Sequence, residues 1–439
     1  MKKILVLGAG LVAGPLVRYL LNVDEFTVTV ASRTVEKAQA LTGDASNGIA
    51  LALNVKDEAA LESLIADHDL SISLLPYVYH PIVARLCVKH GKQMVTTSYV
   101  KPEMQALDAG AKSAGVILLN EIGVDPGIDH MSAMDVVHQI EAKGGKLVSF
   151  TSNTGGLPAP DANDNPFGYK FSWAPRGVVL AGKNPAKFLK NGEVIDVPGP
   201  ELFSHHWTCQ IEGFGELEVY PNRDSMPYIE TYGIPTVTSM FRGTLRYPGW
   251  CDTLKKIADL GFLDETERDD MKGMTYGELL ARLIDSDGAD LKADLAAFFS
   301  IPADADPIVR MNWLGLLSDE AIPAADNTYL DVLASRMLAK MAYAPGERDM
   351  LVMQHEFVAE YADRTEKTTS TMIDYGIPGG DSSMSRLVGL PAAVAARMIL
   401  QGEINVTGVH VPMIAEIYKP VLAELATMGI QFQEKVERL

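Results

Sequence analysis

Up to Asn120, apolar residues fall into short runs with helical spacing between them. Lys3-Ile4-Leu5-Val6-Leu7 is the first run, and Leu16, Val17, Leu20 and Leu21 recur behind it at the helical period. Phe26 to Ala31 is the second. Further strand-like runs are Ile49 to Val55, Leu70 to Leu75, Gln93 to Thr97 and Val116 to Asn120, with helical stretches at Glu58 to Ala66 and Ile82 to Lys89. This alternation predicts an α/β fold with a doubly wound, Rossmann-type parallel sheet. Beyond it, Met131, Met134, Val137 and Ile140 predict a helix, Lys146 to Ser152 a strand and Thr154 to Pro160 a loop. From about Cys251 to Glu366 the spacing is helical, as at Leu254, Ile257, Ala258 and Leu260. Helices are expected again at Pro391 to Leu400 and Ala415 to Met428. No uninterrupted apolar run of about 18 residues appears, so no membrane-spanning helix is expected.

The first strand leads directly into Gly8-Ala9-Gly10-Leu11-Val12-Ala13. Gly8, Gly10 and Ala13 fit G-x-G-x-x-A between a strand and a helix. In such a turn the first glycine permits the bend, the second lets a pyrophosphate approach the backbone, and the third small residue lets the helix pack closely. Amides at the helix N-terminus then face phosphate oxygens. The second strand ends in Ser32-Arg33-Thr34, where an NAD site would place a carboxylate for the ribose hydroxyls. Arg33 can instead pair with a 2′-phosphate, which predicts NADP as cofactor.

Other chemistry-bearing residues follow strand ends, where ligands of open α/β sheets sit. Ser98 and Tyr99 follow the fifth strand. Glu121 to His130 follows the sixth and packs two glycines, a proline and four ionisable groups into ten residues. Asp125 lies in its centre, as a proton-transfer group or as a cap for the next turn. Gly168-Tyr169-Lys170-Phe171-Ser172-Trp173 joins three aromatics to a lysine. Tyr220 to Ser225 and Phe241 to Tyr247 set Arg223 and Arg246 among hydroxyl and turn-forming residues. No metal-ligand spacing accompanies His205-His206, and no metal is expected.

Taken together, Gly8 to Pro15, Ser32 to Thr34, Ser98-Tyr99, Gly123 to His130, Gly155 to Pro160, Gly168 to Trp173, Tyr220 to Ser225 and Arg242 to Tyr247 resemble the saccharopine reductase family, the glutamate-forming saccharopine dehydrogenases. Ile377 to Asp381 and Gly389 to Pro391 match it more loosely. The resemblance implies an NADP-binding Rossmann domain at 1–124, completed by C-terminal helices at about 386–439. It further implies a mixed α/β substrate and dimerisation domain at 125–250 and 368–385, with an all-helical insertion at 251–367. The implied reaction interconverts saccharopine with L-glutamate and 2-aminoadipate 6-semialdehyde, by hydride transfer to or from an imine. Carried over residue by residue, Ser98, Tyr99, Asp125, Lys170, Trp173, Arg223, Thr244, Leu245 and Arg246 become substrate contacts. Tyr99 and Asp125 become candidate acid/base groups. Gly8, Gly10, Leu11, Val12, Ala13, Ser32, Arg33, Thr34, Asn54, Val55, Leu75, Ile122, Gly123, Val124, Asp125, Gly127 and Asp129 become cofactor contacts. The chain departs from the family at Thr154, where relatives often carry cysteine, and threonine does not ionise near neutrality. Alternatives are a related imine reductase such as carboxynorspermidine dehydrogenase, which needs fewer carboxylate anchors, and a non-catalytic NADP-binding protein, which need not keep Tyr99, Asp125, Arg223 and Arg246 together.

Composition narrows the partners. The 439 residues carry a net charge of −19, which disfavours nucleic acid and anionic membrane surfaces. The acid is uneven: residues 259–367 hold 10 basic and 23 acidic groups, whereas 165–258 hold 10 and 9. The stretch carrying Lys170, Arg223 and Arg246 is therefore open to an anionic small molecule. Three widely spaced cysteines suit a reducing cytoplasm. A homodimer is expected from the resemblance.

Overall fold

The computed structural model describes residues 1–172 and 175–439. In chain order the elements are β1 (Lys2–Leu7), α1 (Ala13–Leu21), β2 (Phe26–Ser32), α2 (Val35–Thr42), β3 (Gly48–Ala52), α3 (Glu58–Asp67), β4 (Leu70–Ser73), α4 (His80–His90), β5 (Gln93–Thr96), α5 (Pro102–Gln105), α6 (Asp108–Ala114), β6 (Ile117–Leu119) and α7 (Ile128–Ala142). Next come β7 (Lys146–Pro158), α8 (Pro175–Ala181), β8 (Ala186–Lys190), β9 (Glu193–Val197), β10 (Trp207–Ile211), β11 (Gly215–Pro221), α9 (Pro227–Thr231) and β12 (Ser239–Arg246). Five helices follow: α10 (Trp250–Asp259), α11 (Tyr276–Ile284), α12 (Leu291–Phe299), α13 (Asp306–Leu314) and α14 (Tyr329–Lys340). The chain closes with β13 (Asp349–Glu360), β14 (Thr365–Tyr375), α15 (Ser383–Gln401), β15 (Gly408–His410), α16 (Ala415–Thr427) and β16 (Gln433–Arg438).

Two compact units result. The first comprises residues 1–144 and 380–433, the second 145–379 and 434–439. In the first, seven strands run in the order β15-β6-β5-β4-β1-β2-β3, all pairs parallel. This is the doubly wound order with one strand added, and its direction reverses between β1 and β4. β4 is buried at every position, as a strand covered by helices on both faces must be. One core layer joins Leu5, Leu7, Leu61, Ile65, Val83 and Leu118. On the other face α15 crosses α1. A Cβ built on Gly389 would lie 2.7 Å from the Val12 carbonyl oxygen, so glycine is what lets these backbones meet. α15 is long and apolar enough to cross a membrane, but 72% of it is buried, and Tyr19, Arg397 and Glu424 bond α1, α15 and α16 to one another.

The second unit is built on a mixed sheet in the order β10-β11-β12-β7-β13-β14-β16, with β8 and β9 branching from β12. β12 and β7 pair in parallel, and β13 pairs antiparallel with both β7 and β14. Its core runs from Leu157, Leu217 and Leu245 on the sheet into Leu254, Leu279, Ile308 and Leu333 on the helices.

Two expectations are corrected. The Thr154 to Pro160 loop is mostly strand, because β7 continues to Pro158. Gly155 is not there to turn: a Cβ on it would come within 2.6 Å of the Leu245 carbonyl oxygen, so it admits β12 at close range. The helical stretch ends at Lys340, and Asp349–Glu360 is a strand inside the sheet. Buried on nearly every residue, that strand has no period-two signal, and its run of methionines and leucine reads equally as helix. α7 packs on α16, so the first compact unit runs on to Gly144, past the expected domain boundary at 124.

Candidate active site

In the first unit, the turns after β1, β2, β3 and β4 converge on a cleft of 370 Å³ at the reversal point of the sheet. Gly8, Gly10, Ser32, Arg33, Thr34, Asn54, Val55 and Leu75 all line it. Gly8 has a φ of +113°, and a Cβ there would sit 3.1 Å from the Leu74 carbonyl oxygen. A Cβ on Gly10 would meet nothing within 4 Å, which leaves the open backbone a pyrophosphate needs. Leu11, Val12 and Ala13 stand at the start of α1. Leu11 is 78% exposed, Ala13 is buried, and the Ala13 amide closes the turn by donating to Gly10 O at 3.2 Å.

Lys37, Lys56 and Tyr79 also line the cleft and were not anticipated. Lys37 is one helical turn past Arg33, and that spacing was a readable signal. Arg33, Lys37 and Lys56 face the cleft with no carboxylate among its lining residues. These residues fit a dinucleotide carrying a 2′-phosphate and would repel none of its charge.

The loop after β6 folds back on itself. Gly123 N donates to Pro126 O at 3.0 Å, Ile128 N to Gly123 O at 2.9 Å and Asp129 N to Val124 O at 3.0 Å. Gly127, at φ +145°, has no room for a side chain, since a Cβ would overlap Gly123. The Asp129 carboxylate accepts from Gly127 N at 2.6 Å and lies 3.6 Å from His130 Nδ1. It braces the loop. Ile122 is fully buried, so its side chain offers no ligand contact. Glu121 adopts a left-handed φ of +58°, and its carboxylate accepts from Val100 N at 2.8 Å and pairs with buried His130 at 2.9 Å. Tyr99 Oη donates to Asp125 Oδ1 at 3.1 Å. The two candidate acid/base groups thus meet, 26 residues apart in sequence.

In the second unit, Arg246 is buried within an aromatic cage. Its guanidinium lies 4.8 Å from the Tyr169 ring, 5.3 Å from Trp250 and 5.9 Å from Tyr220. Nη1 donates to Leu245 O at 2.7 Å, while buried Nε has no hydrogen-bond partner among the described residues. Thr244 shares the Arg246 face of β12. Leu245 points to the opposite face and its side chain is wholly buried in the core, which leaves only its backbone for a ligand contact. Arg223 stands exposed in a left-handed turn (φ +56°), with its carbonyl accepting from Lys187 N at 2.9 Å. Lys170 is already ion-paired. Its ammonium donates to both Glu347 oxygens at 2.7 Å and pairs with Asp164 at 2.8 Å. Burial works against its charge, but those two carboxylates win and hold its pKa above the ordinary lysine value. It is a structural ion pair and not a free cation. Thr154 Oγ1 is buried without a hydrogen-bond partner. Trp173 lies outside the described residues.

Residues 4–119 match the family model described as the saccharopine dehydrogenase NADP binding domain, and residues 123–430 match the saccharopine dehydrogenase C-terminal domain. The chain is 42% identical to a saccharopine dehydrogenase [NADP(+), L-glutamate-forming] of Schizosaccharomyces pombe, over 99% of both chains. It is 39% identical to a mitochondrial alpha-aminoadipic semialdehyde synthase of Bos taurus, covering 98% of this chain but 47% of that one. A solved apo saccharopine dehydrogenase (L-Glu forming) of Saccharomyces cerevisiae superposes with a TM-score of 0.93, at 39% identity over the whole of both chains.

Proposed function

Since the chain belongs to the saccharopine dehydrogenase family, we propose that it is an NADP-dependent oxidoreductase that interconverts saccharopine with L-glutamate and 2-aminoadipate 6-semialdehyde in lysine metabolism. The observation that carries this reading is Arg246. The buried guanidinium packs among three aromatic rings with buried Glu218 opposite it in the β11–β12 ladder, and its Nε, without a partner among the described residues, is an edge that a substrate carboxylate can complete. Saccharopine, with three carboxylates, supplies one. Arg223 and Thr244 serve as further carboxylate contacts, and Ser98 as a hydroxyl contact.

Gly8, Gly10, Arg33, Thr34 and Lys37 hold the dinucleotide, whose nicotinamide, when bound, gives or takes the hydride. The chain's own work is to orient the carbon and nitrogen of the imine and to manage protons. Forming and dehydrating the carbinolamine moves protons at nitrogen and oxygen. Asp125 is the group for that task. Tyr99, bonded to its Oδ1, fixes its orientation and supplies a second hydroxyl to the substrate. Thr154 takes no part in proton transfer.

The test is reduction of NADP+ by the full-length protein with saccharopine, followed by NADPH absorbance, with NAD+ and carboxynorspermidine as controls. Saccharopine-dependent reduction is expected. Its absence in protein that binds NADPH would overturn the reading. We further propose a three-part organisation, with α10 to α14 as an insertion in the substrate domain, and a homodimer formed through the second unit. There, half-exposed Trp207 borders a 520 Å³ hollow with Phe188 and Phe241. Light scattering at a mass near twice 47.6 kDa tests the dimer. Three unpaired cysteines support a cytoplasmic location.

A further inference from the structure

Behind Ser98 lies a buried imidazole that none of this chemistry uses. His80 opens α4 and is 3% exposed. Its Nδ1 is 2.9 Å from Ser73 Oγ, and its Nε2 is 2.9 Å from Ser98 Oγ and 3.3 Å from Thr96 Oγ1. Proton positions follow by elimination. Thr96 Oγ1 donates to Ser73 O at 2.9 Å, so its one proton is committed and it offers the imidazole only lone pairs. Ser73 is fully buried, and the imidazole is the partner of its hydroxyl. A buried O–H left without an acceptor would carry the full desolvation penalty. Burial also pulls the His80 pKa down to about 4, so near neutrality the ring carries a single proton. One arrangement satisfies every group. Ser73 O–H donates to Nδ1, and Nε2–H donates to Ser98 Oγ, with Thr96 Oγ1 as a weaker second acceptor. Ser98 Oγ has then accepted a bond and keeps its own proton for another oxygen.

We propose that His80 is a positioning residue, which through the Ser73–His80–Ser98 chain holds the Ser98 hydroxyl as a donor for a carboxylate oxygen of the amino-acid substrate. The proposal rests on the reading of Ser98 as a substrate contact, and adds the group that sets the polarity of that contact. Half-buried Ser98 follows β5 at the C-terminal edge of the sheet, the edge where such sheets receive ligands.

Steady-state kinetics of the full-length enzyme test it, with saccharopine and NADP+ varied separately. The variants are Ser98→Ala, His80→Phe, His80→Gln, His80→Asn and the double variant His80→Phe/Ser98→Ala. Loss of one neutral hydrogen bond corresponds to a rise in KM for saccharopine of about 5- to 10-fold. That rise is expected for Ser98→Ala and for His80→Phe, with KM for NADP+ unchanged. The double variant should match Ser98→Ala alone, because both changes remove one contact. Gln can place an N–H where Nε2–H stands and should restore most of the affinity. Asn is too short and should behave like Phe, which keeps the comparison available if the Phe variant does not fold. Multiplying effects in the double variant, or equal kinetics for Gln and Asn, would overturn the positioning role. An unchanged KM in Ser98→Ala would instead remove the substrate contact itself, and the proposal with it.

Discussion

Arg246 packs against aromatic rings, with buried Glu218 opposite it in the β11–β12 ladder, and that setting discriminates between cations. A planar guanidinium can lie against Tyr169 and Trp250 and still present a two-pronged edge to a carboxylate, whereas a lysine ammonium is a point charge without that fork. Arg246→Lys is therefore expected to lower kcat/KM for saccharopine by about 10²-fold, the scale of losing one partner of a buried charge pair. NADPH affinity, measured by fluorescence titration, should stay within about twofold, since no contact to the nucleotide is removed. His80 makes a prediction about pH. Its folded pKa, about 4, lies below the unfolded value of about 6.5. The unfolded chain thus binds this proton first as pH falls. The group's contribution is fully present above about pH 6.5 and is lost progressively toward pH 4, about 3 kcal/mol in all. His80→Gln removes the proton-binding group. Urea titrations at pH 7 and pH 4.5 should show a smaller acid-induced loss in the variant than in the parent. Equal losses would show that the imidazole is not held neutral.

At the scale of elements, the glycine turn, the Ser32-Arg33-Thr34 end of β2 and the first six strands were legible because each is local. A strand, a turn and a helix within twenty residues carry their own signal. The Lys170–Glu347 pair was not legible because its partners lie 177 residues apart; only Asp164, six residues upstream, is local. The side-chain direction of Leu245 was not legible either: alternation along β12 puts it on the face opposite Arg246, and β12 had not been placed. His80 carried no signal at all, since a histidine at the start of a helix is unremarkable until Ser73 and Ser98 are seen beside it. Two predictions belong here. Arg33→Ala should shift the NADP+/NAD+ ratio of kcat/KM toward NAD+ by about 10-fold or more, as one charge-assisted phosphate pair is lost. Lys37 and Lys56 remain in the cleft, so the preference should weaken rather than invert. Gly389→Ala drives a methyl group toward the Val12 carbonyl and the Leu16 Cβ. It should cost about 1–3 kcal/mol by chemical denaturation, the usual range for overpacking. Because Val12 belongs to the phosphate turn, NADPH affinity should fall with it.

For the whole molecule, the chain path sets what must be present before the cofactor cleft is stable. Residues 1–144 hold every residue lining that cleft, yet their unit is completed only by 380–433. α15 covers α1 and lies along β4 and β5, and α16 joins it through Arg397 and Glu424. Leu387, Ala392, Val394 and Ala396 of α15 are fully buried, so the interface is core and not a docked tail. The acidic stretch at 259–367 lies in the second unit, where Arg176 bridges Glu265 and Asp331 at 3.0 Å each. Truncation after Gly379 would leave the glycine turn, Arg33 and Lys37 intact in sequence but strip one face of the first sheet. Such exposure amounts to far more than the few kcal/mol by which domains are stable. The truncated chain is expected to lose NADPH binding in fluorescence titration and to elute as aggregate. A milder variant keeps the test quantitative: Leu387→Ala should cost about 2–5 kcal/mol, the range for a cavity left by a buried leucine. NADP+ binds the folded state alone, so adding it at about 100 times its Kd should restore about 2.7 kcal/mol of that loss. Unchanged stability on adding NADP+ would mean that the residues α15 supports are not the ones that hold the nucleotide.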